Sequence, residues 1–369
     1  MDSAKFVIVG AGLAGMATAF GLACRDEGDV LILEKENFPG MHSSGRNAAM
    51  IRQVVPDEHI LSLAKKGAEF FRGQPEGWQD PVPFTKSGSL LVALGDGWKN
   101  LLEDSEMARS AGVHLEIWDA ARIQQAVPCT KDGNFQSGVY CPDDGVTDTD
   151  LLISGFYSAA RAKGVRLETE CEVLAIEVDK GKVAGVETSK GFIRTSAVVN
   201  ASGPWASMIA ELAGALAIKF TSMRRHLYYT GELGWVDQGW PFVWDVSNEV
   251  YFRPESAGLL LSPCDETPSA PGIPPVDEEV QDLLTNKISV SFPQLLDLPI
   301  ARSWAGLRTF APDRMFVIGW DPQVEGFYWT AGLGGHGVAT SPAVGALAAK
   351  ELLSGKRKIS SPFSPGRFL

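Results

Sequence analysis

FVIVGAGLAGMATAFGLACRDEGDVLILE, running from Phe6 to Glu34, decides the fold. An apolar run, Phe6 to Val9, leads into the glycine turn Gly10-Ala-Gly12-Leu-Ala-Gly15. A small-residue helix and a second apolar run follow, and the stretch ends on an acid. This is the pattern of a dinucleotide-binding βαβ unit. Gly10 permits the tight turn, Gly12 lets a pyrophosphate approach the backbone, and Gly15 lets helix and strand pack closely; the helix N-terminus then faces the phosphates. Glu34 falls about 20 residues past the glycines, where a carboxylate holds a ribose 2′-hydroxyl and disfavours the 2′-phosphate of NADP. With its neighbour Lys35 it is expected to contact the cofactor. The motif by itself leaves NAD and FAD open.

The chain has 369 residues, of which 45% are apolar, enough for a large core and two domains. Its net charge of -12 offers no long-range attraction to nucleic acid or to anionic lipid. Only five residues precede the first strand, too few for a signal-peptide core, and no 18-residue apolar run follows. A cytoplasmic protein with no integral membrane segment is expected, a reading compatible with peripheral contact at the inner membrane. Cys24, Cys129, Cys141, Cys171 and Cys264 are odd in number and show no CxxC pairing, so reduced, buried thiols are expected, with no metal site.

Along the chain, the polar loop Pro39 to Asn47 is expected to lead into a helical segment, with another helix near Glu58 to Phe71. Phe84 to Leu94 alternates as one strand, a helix near Trp98 to Ala111 follows, and a Pro- and Gly-rich stretch reaches Gly145. Asp148 or Thr149 can cap a helix from Leu151 to Lys163. Strands are expected at Arg166 to Thr169, Val173 to Val178, Val183 to Thr188 and Ile193 to Asn200. From Ile218 to Arg308 short β runs suggest a large antiparallel sheet. The expected partition is a discontinuous Rossmann-like α/β domain (1–82, 146–215, 309–369) and an inserted α+β substrate domain (83–145, 216–308).

A second glycine turn, Gly332-Leu-Gly334-Gly335-His336-Gly337, lies between the strand Phe327 to Ala331 and a helix expected to start at Pro342, with Ser341 as its cap. Such a turn aims backbone N–H groups and a positive helix end at a ligand. A nicotinamide cofactor has no evident use for it. A reduced flavin does, because negative charge develops at N1 and the C2 carbonyl.

These motifs, with the loop His42-Ser43-Ser44-Gly45-Arg46, the strand end Val198-Val199-Asn200-Ala201-Ser202-Gly203 and the run Trp304-Ala-Gly-Leu-Arg308, stand in the order seen in FAD-dependent amine and D-amino acid oxidoreductases. The whole chain resembles the family of D-amino acid oxidase, glycine oxidase and sarcosine oxidase, and is most similar to the bacterial D-amino acid dehydrogenase branch, including the D-arginine dehydrogenase type. The resemblance implies FAD, held noncovalently because no cysteine stands near Gly306. It lays the Ser43 to Arg46 loop along the pyrophosphate and isoalloxazine edge, Val173 near the adenosine, and Ala201, Gly203 and the second turn around the cofactor. Arg46 supplies a fork of donors for phosphate.

For the substrate, the resemblance implies Arg308 as clamp for an amino acid carboxylate, a role that suits a planar guanidinium. Tyr251 matches a site tyrosine whose hydroxyl could bond the same carboxylate. Arg224 and Arg225 are adjacent in a β run, so only one can line the pocket; Arg225 aligns with the family's second cationic residue. Arg52 matches an arginine near the flavin of sarcosine oxidase relatives, and His336 could face flavin or substrate. One departure narrows the substrate: Ser89 stands where D-arginine dehydrogenase uses an acid, and Met50 and Val55 replace a histidine and a tyrosine.

The expected reaction is therefore oxidative deamination of a small or apolar D-amino acid, glycine or an N-methyl amino acid, by hydride transfer from Cα to flavin N5. An imine forms and hydrolyses, and oxygen or a quinone accepts the electrons. A flavin 2-hydroxy acid or glycerol 3-phosphate dehydrogenase is the alternative. A non-catalytic FAD-binding subunit of a larger oxidoreductase is a further one.

Overall fold

The computed structural model describes residues 3–73, 75, 78, 81–355 and 361–369. A six-stranded sheet runs in the order Val317–Trp320, Phe327–Ala331, Val198–Asn200, Phe6–Val9, Val30–Leu33, Arg166–Glu168. All its pairings are parallel except that between Val317–Trp320 and Phe327–Ala331. Ile8 lies between Val199 and Ile32, all three fully buried, because a strand covered on both faces reads as a continuous apolar run. Each such side chain contributes roughly 1.5–3 kcal/mol by leaving water. The Phe6–Val9 strand is central, so the first glycine turn leaves the sheet at mid-edge, beside the end of Val198–Asn200. That is the crevice where open α/β sheets bind ligands.

Small residues let helices close over this sheet. Helix Leu13–Ala23 meets helix Gly337–Ser354 so tightly that a Cβ on Gly21 would stand 2.4 Å from the Gly345 carbonyl oxygen. Asp148 caps helix Thr149–Arg161 by accepting the N–H groups of Asp150 and Leu151. The strands Val173–Asp179, Lys182–Thr188 and Gly191–Arg194 form an antiparallel meander.

A nine-stranded, mostly antiparallel sheet is built from both halves of the chain, joining Ser89–Val92 to Phe242–Asp245. Its longest pairing sets Thr221–Tyr229 against Arg302–Phe310, with Met223 opposite Arg308 and Arg225 opposite Gly306. Opposed residues share a face, as do residues two apart. Arg225 and Arg308 therefore lie on one face of the sheet and Arg224 on the other.

Several expected elements differ. No helix follows Asn47: its Oδ1 accepts the Ala49 N–H, capturing the backbone in a turn that leads to the short strand Met50–Ile51. Phe84 to Leu94 is not one strand; it splits at Gly88 (φ +83°) into Phe84–Thr85 and Ser89–Val92, which belong to different sheets. Ile193 to Asn200 likewise divides, because Thr195 Oγ1 accepts the Ala197 N–H and turns the chain between sheets. Helices Ala120–Ala126 and Glu279–Ser291 occupy stretches whose turn residues and short apolar runs read as irregular or β. The last helix starts at Gly337, so Ser341 and Pro342 lie inside it, where Pro342 adds no donor and Ser341 Oγ donates to the Val338 carbonyl. Cys24 is exposed, just past the end of its helix, while the other four cysteines are buried.

Candidate active site

The strand ends Val9, Leu33, Ala201 and Ala331 surround a cavity of about 480 Å³. Gly10 and Gly12 form part of its wall, and a Cβ on Gly12 would stand 2.9 Å from Ser44 Oγ. That hydroxyl accepts the N–H of Leu13, the first residue of its helix, at 3.0 Å. Glu34 accepts the Ala11 N–H at 2.9 Å and the Glu36 N–H at 3.0 Å, which fixes its carboxylate at the cavity edge with lone pairs left for a ligand hydroxyl. Gly15 is not in this wall. Its place is packing, since a Cβ there would lie 1.9 Å from the Gly10 carbonyl oxygen. Gly45 packs in the same way on Gly40.

The loop around Ser43 is held from within, as Asn47 Nδ2 donates to the carbonyls of Ser43 and Ser44 at 3.1 and 2.6 Å. Arg46 reaches the cavity while donating a 3.3 Å bond to the Met41 carbonyl. Lys35 Nζ sits 3.7 Å over the Trp205 ring, and His42 meets the same ring at 4.6 Å. His42 Nε2 donates to Glu36 at 2.8 Å; this bond, with burial working against it, holds the Glu36 carboxyl below its usual range. Lys35, His42 and Trp205 all line the cavity, as do Val173, Ala201 and Gly203.

Gly332, Gly334, Gly335 and Gly337 close the opposite wall. Gly332 and Gly334 adopt φ of +71° and +52°, which glycine tolerates without strain. Because the last helix begins at Gly337, its N-terminus is in the wall itself, as is that of Leu13–Ala23. Two helix ends of positive potential thus face one cavity.

Arg308 lines the cavity beside this turn; a Cβ on Gly335 would touch its Nε at 3.6 Å. Among the described residues it has no hydrogen bond or ion pair, and the nearby-in-sequence carboxylate of Asp313 is bonded by Arg367. Burial, then the neighbouring Arg225 guanidinium, pushes the Arg308 pKa down to about 10. Arg225 is held by the Asp265 carbonyl at 3.1 Å and Glu266 at 3.1 Å, whereas Arg224 pairs with Asp277 on the other face. The Tyr251 hydroxyl is fully buried and has no hydrogen-bond partner among the described residues. Arg52 stands 4.3 Å over the Trp244 ring, itself 5.0 Å from Tyr251. Burial, then the fields of Arg52, Arg308 and Arg314, holds His336 down to about 3, so its imidazole is neutral.

Two further atoms show what the cavity accepts. The hydroxyls of Ser43 and Thr330 are buried with no hydrogen-bond partner among the described residues, and both residues line it. Buried hydroxyls are rarely left unbonded. Together with the glycine cradle, the Glu34 carboxylate and the helix ends, these donors fit an adenine dinucleotide carrying a flavin.

The sequence matches the DAO family, FAD dependent oxidoreductase, over residues 5–351. The chain belongs to this family. This FAD-dependent oxidoreductase is 24% identical to 4-methylaminobutanoate oxidase (formaldehyde-forming) of Paenarthrobacter nicotinovorans over 95% of the chain and 44% of that protein. It is 25% identical to human mitochondrial sarcosine dehydrogenase over 96% of the chain and 40% of that protein. The chain thus spans less than half the length of these curated relatives. Among solved structures, L-proline dehydrogenase from P. horikoshii superposes with a TM-score of 0.90 at 26% identity, covering 100% of this chain and 98% of that one. Glycine oxidase from Geobacillus kaustophilus shares the fold at a TM-score of 0.83 and 22% identity, over 99% and 98% of the two chains.

Sequence reasoning passed over Trp205, Thr330 and Trp244. Trp205 stands two residues past the strand end Asn200 to Gly203 and could have been found there. Trp244 enters the site only through strand pairing, with Trp244 opposite Tyr251. Ser89 is not a free pocket residue either: it donates to the buried Asp144.

Proposed function

We propose that this chain oxidises the C–N bond of an amino acid whose carboxylate is clamped by Arg308 and Tyr251. The substrate is drawn from glycine, small or apolar D-amino acids and N-alkyl amino acids. The observation that carries the reading is a pair of neighbouring groups that make no hydrogen bond among the described residues: the Arg308 guanidinium in the cavity wall and the buried Tyr251 hydroxyl, close enough to act on its charge. N-alkyl members are favoured, in keeping with the N-methylated and cyclic secondary amines in the names of the relatives.

Gly10, Gly12, Ser43, Ser44, Arg46 and Glu34 would hold the nucleotide end of FAD, and the Gly332 to Gly337 turn its ring. Bound there, FAD supplies a two-electron acceptor that takes a hydride at N5. The chain's own contribution is orientation. A bidentate hold on the carboxylate fixes the Cα–H direction, and such positioning supplies a large share of the barrier reduction. The burial and the positive field that together keep His336 uncharged also disfavour an ammonium group, so the amine loses its proton on entry and its lone pair is free to drive C–H cleavage. His336 does not retain that proton, which passes to solvent. The imine leaves and hydrolyses in water; oxygen or a quinone reoxidises the protein.

Anaerobic addition of glycine, sarcosine, L- and D-proline, D-alanine and 2-hydroxy acids to the FAD-loaded chain tests the reading through loss of flavin absorbance. Bleaching by one or more amines is expected. Bleaching by hydroxy acids alone would replace it with the alcohol-oxidising alternative, and none at all with the non-catalytic one.

A further inference from the structure

Arg52, near the site through its field on His336, is a second guanidinium without an ion-paired carboxylate among the described residues. Among the described residues it makes no hydrogen bond and no ion pair, and the Trp244 ring is its contact, at 4.3 Å. The charged and titratable groups around it include Asp144, Cys264, Asp104, Arg225 and His336. Asp144 and Asp104 act on its charge from a distance, but neither forms an ion pair with it; Asp144 is bonded instead by Ser89 Oγ at 2.7 Å, Gln53 Nε2 at 2.9 Å and the Gln53 N–H at 3.3 Å. Arg225 is a like charge. Burial accordingly lowers the Arg52 pKa from its ordinary value.

The placement matters as much as the missing partner. Trp244, under Arg52, packs against Tyr251, and Met50, two residues before Arg52, joins the same apolar cluster. Arg308 leans on Gly335, next to His336, and both guanidiniums act on the His336 ring. Two guanidiniums that both act on His336, neither with an ion-paired carboxylate among the described residues, are costly unless a ligand brings an anion to each. A monocarboxylate satisfies Arg308 and leaves Arg52 as it is.

We infer that the substrate carries two carboxylates, one for Arg308 and one for Arg52. Within the class proposed above, the member that offers a second anion beside an apolar side chain is an N-carboxyalkyl amino acid, with a carboxylate on each side of the amine nitrogen. The inference rests on the carboxylate clamp at Arg308 and narrows the substrate further. A charge-assisted pair within a buried site is worth about ten- to a hundredfold in affinity.

Thiodiacetate and methylthioacetate, which lack the oxidisable amine, separate the second anion from turnover. The FAD-loaded chain is titrated with each at low ionic strength and the flavin spectrum gives the dissociation constants. Thiodiacetate should bind at least about tenfold more tightly. Arg52→Gln should bring the ratio close to one, and Arg308→Gln should weaken both ligands. Equal binding by the unaltered chain, or a ratio that survives in Arg52→Gln, overturns the inference and assigns Arg52 to the flavin. The two readings fail separately. A preserved ratio with no bleaching by iminodiacetate, sarcosine or any other amine would sink the oxidation and leave the second anion site standing; bleaching by amines with a ratio of one would do the reverse.

Discussion

Ser89 donates a 2.7 Å hydrogen bond to Asp144, and both side chains are fully buried. The carboxylate missing from position 89 is therefore present one strand away, bonded also by Gln53 and committed to the protein. Ser89→Ala leaves Asp144 one donor short and should cost about 1–3 kcal/mol in urea unfolding. Ser89→Asp would set two carboxyls against each other in a buried pocket, so it should destabilise more than the alanine variant and confer no oxidation of D-arginine. Turnover of D-arginine by Ser89→Asp would show that Asp144 yields its place.

Gly12 and Gly15 should separate cofactor binding from folding. A Cβ on Gly12 meets the Ser44 hydroxyl, a side-chain atom that can rotate away, but it then occupies the approach of the pyrophosphate. Gly12→Ala should keep its cofactor-free melting temperature and lose FAD affinity. A Cβ on Gly15 meets the Gly10 carbonyl oxygen at 1.9 Å, a backbone atom with nowhere to go. Gly15→Ala should lose about 3 kcal/mol or more of stability even without FAD. Calorimetry of both cofactor-free variants checks this; equal melting temperatures would contradict it.

The nucleotide unit was legible because its signals are local: period, glycine spacing and a terminal acid all lie between Phe6 and Glu34. The parallel and antiparallel sheets were legible as classes for the same reason. Pairing was not. Ser89 lies opposite Cys141, and Gln53 reaches Asp144 across 91 residues of sequence, contacts that no periodicity announces. The helix Glu279–Ser291 was hidden among turn residues and short apolar runs. Arg308 and Tyr251 were singled out by resemblance, and the geometry adds what resemblance could not supply: that neither the guanidinium nor the phenol hydroxyl has a hydrogen-bond partner among the described residues.

Tyr251→Phe should move stability and affinity in opposite directions. The hydroxyl is fully buried and unbonded in the absence of a ligand, so its removal relieves a desolvated polar group and should leave the cofactor-free chain as stable or more stable, by up to about 1 kcal/mol. The same change removes a donor from the carboxylate clamp. KM for the best amine should rise about tenfold with kcat less affected. Loss of stability in Tyr251→Phe would mean the hydroxyl has a partner in the folded chain, and an unchanged KM would remove it from the clamp.

His336 should give the chain an acid limit of its own. Folded, its pKa is held near 3; unfolded, it returns to the ordinary value of 6.5. Between those values the unfolded chain binds a proton that the folded chain refuses. Its effect on stability is therefore constant above pH 6.5 and becomes adverse as the pH falls from 6.5 towards 3. The slope from this one group is at most about 1.4 kcal/mol per pH unit. His336→Gln removes the titrating group, so the stability difference between the parent chain and the variant should be flat from pH 7 to 8 and bend downward below pH 6.5. Urea unfolding at half-unit intervals measures it. Parallel curves down to pH 4.5 would mean that His336 titrates normally, and with it would go the argument that this site keeps a bound amine unprotonated.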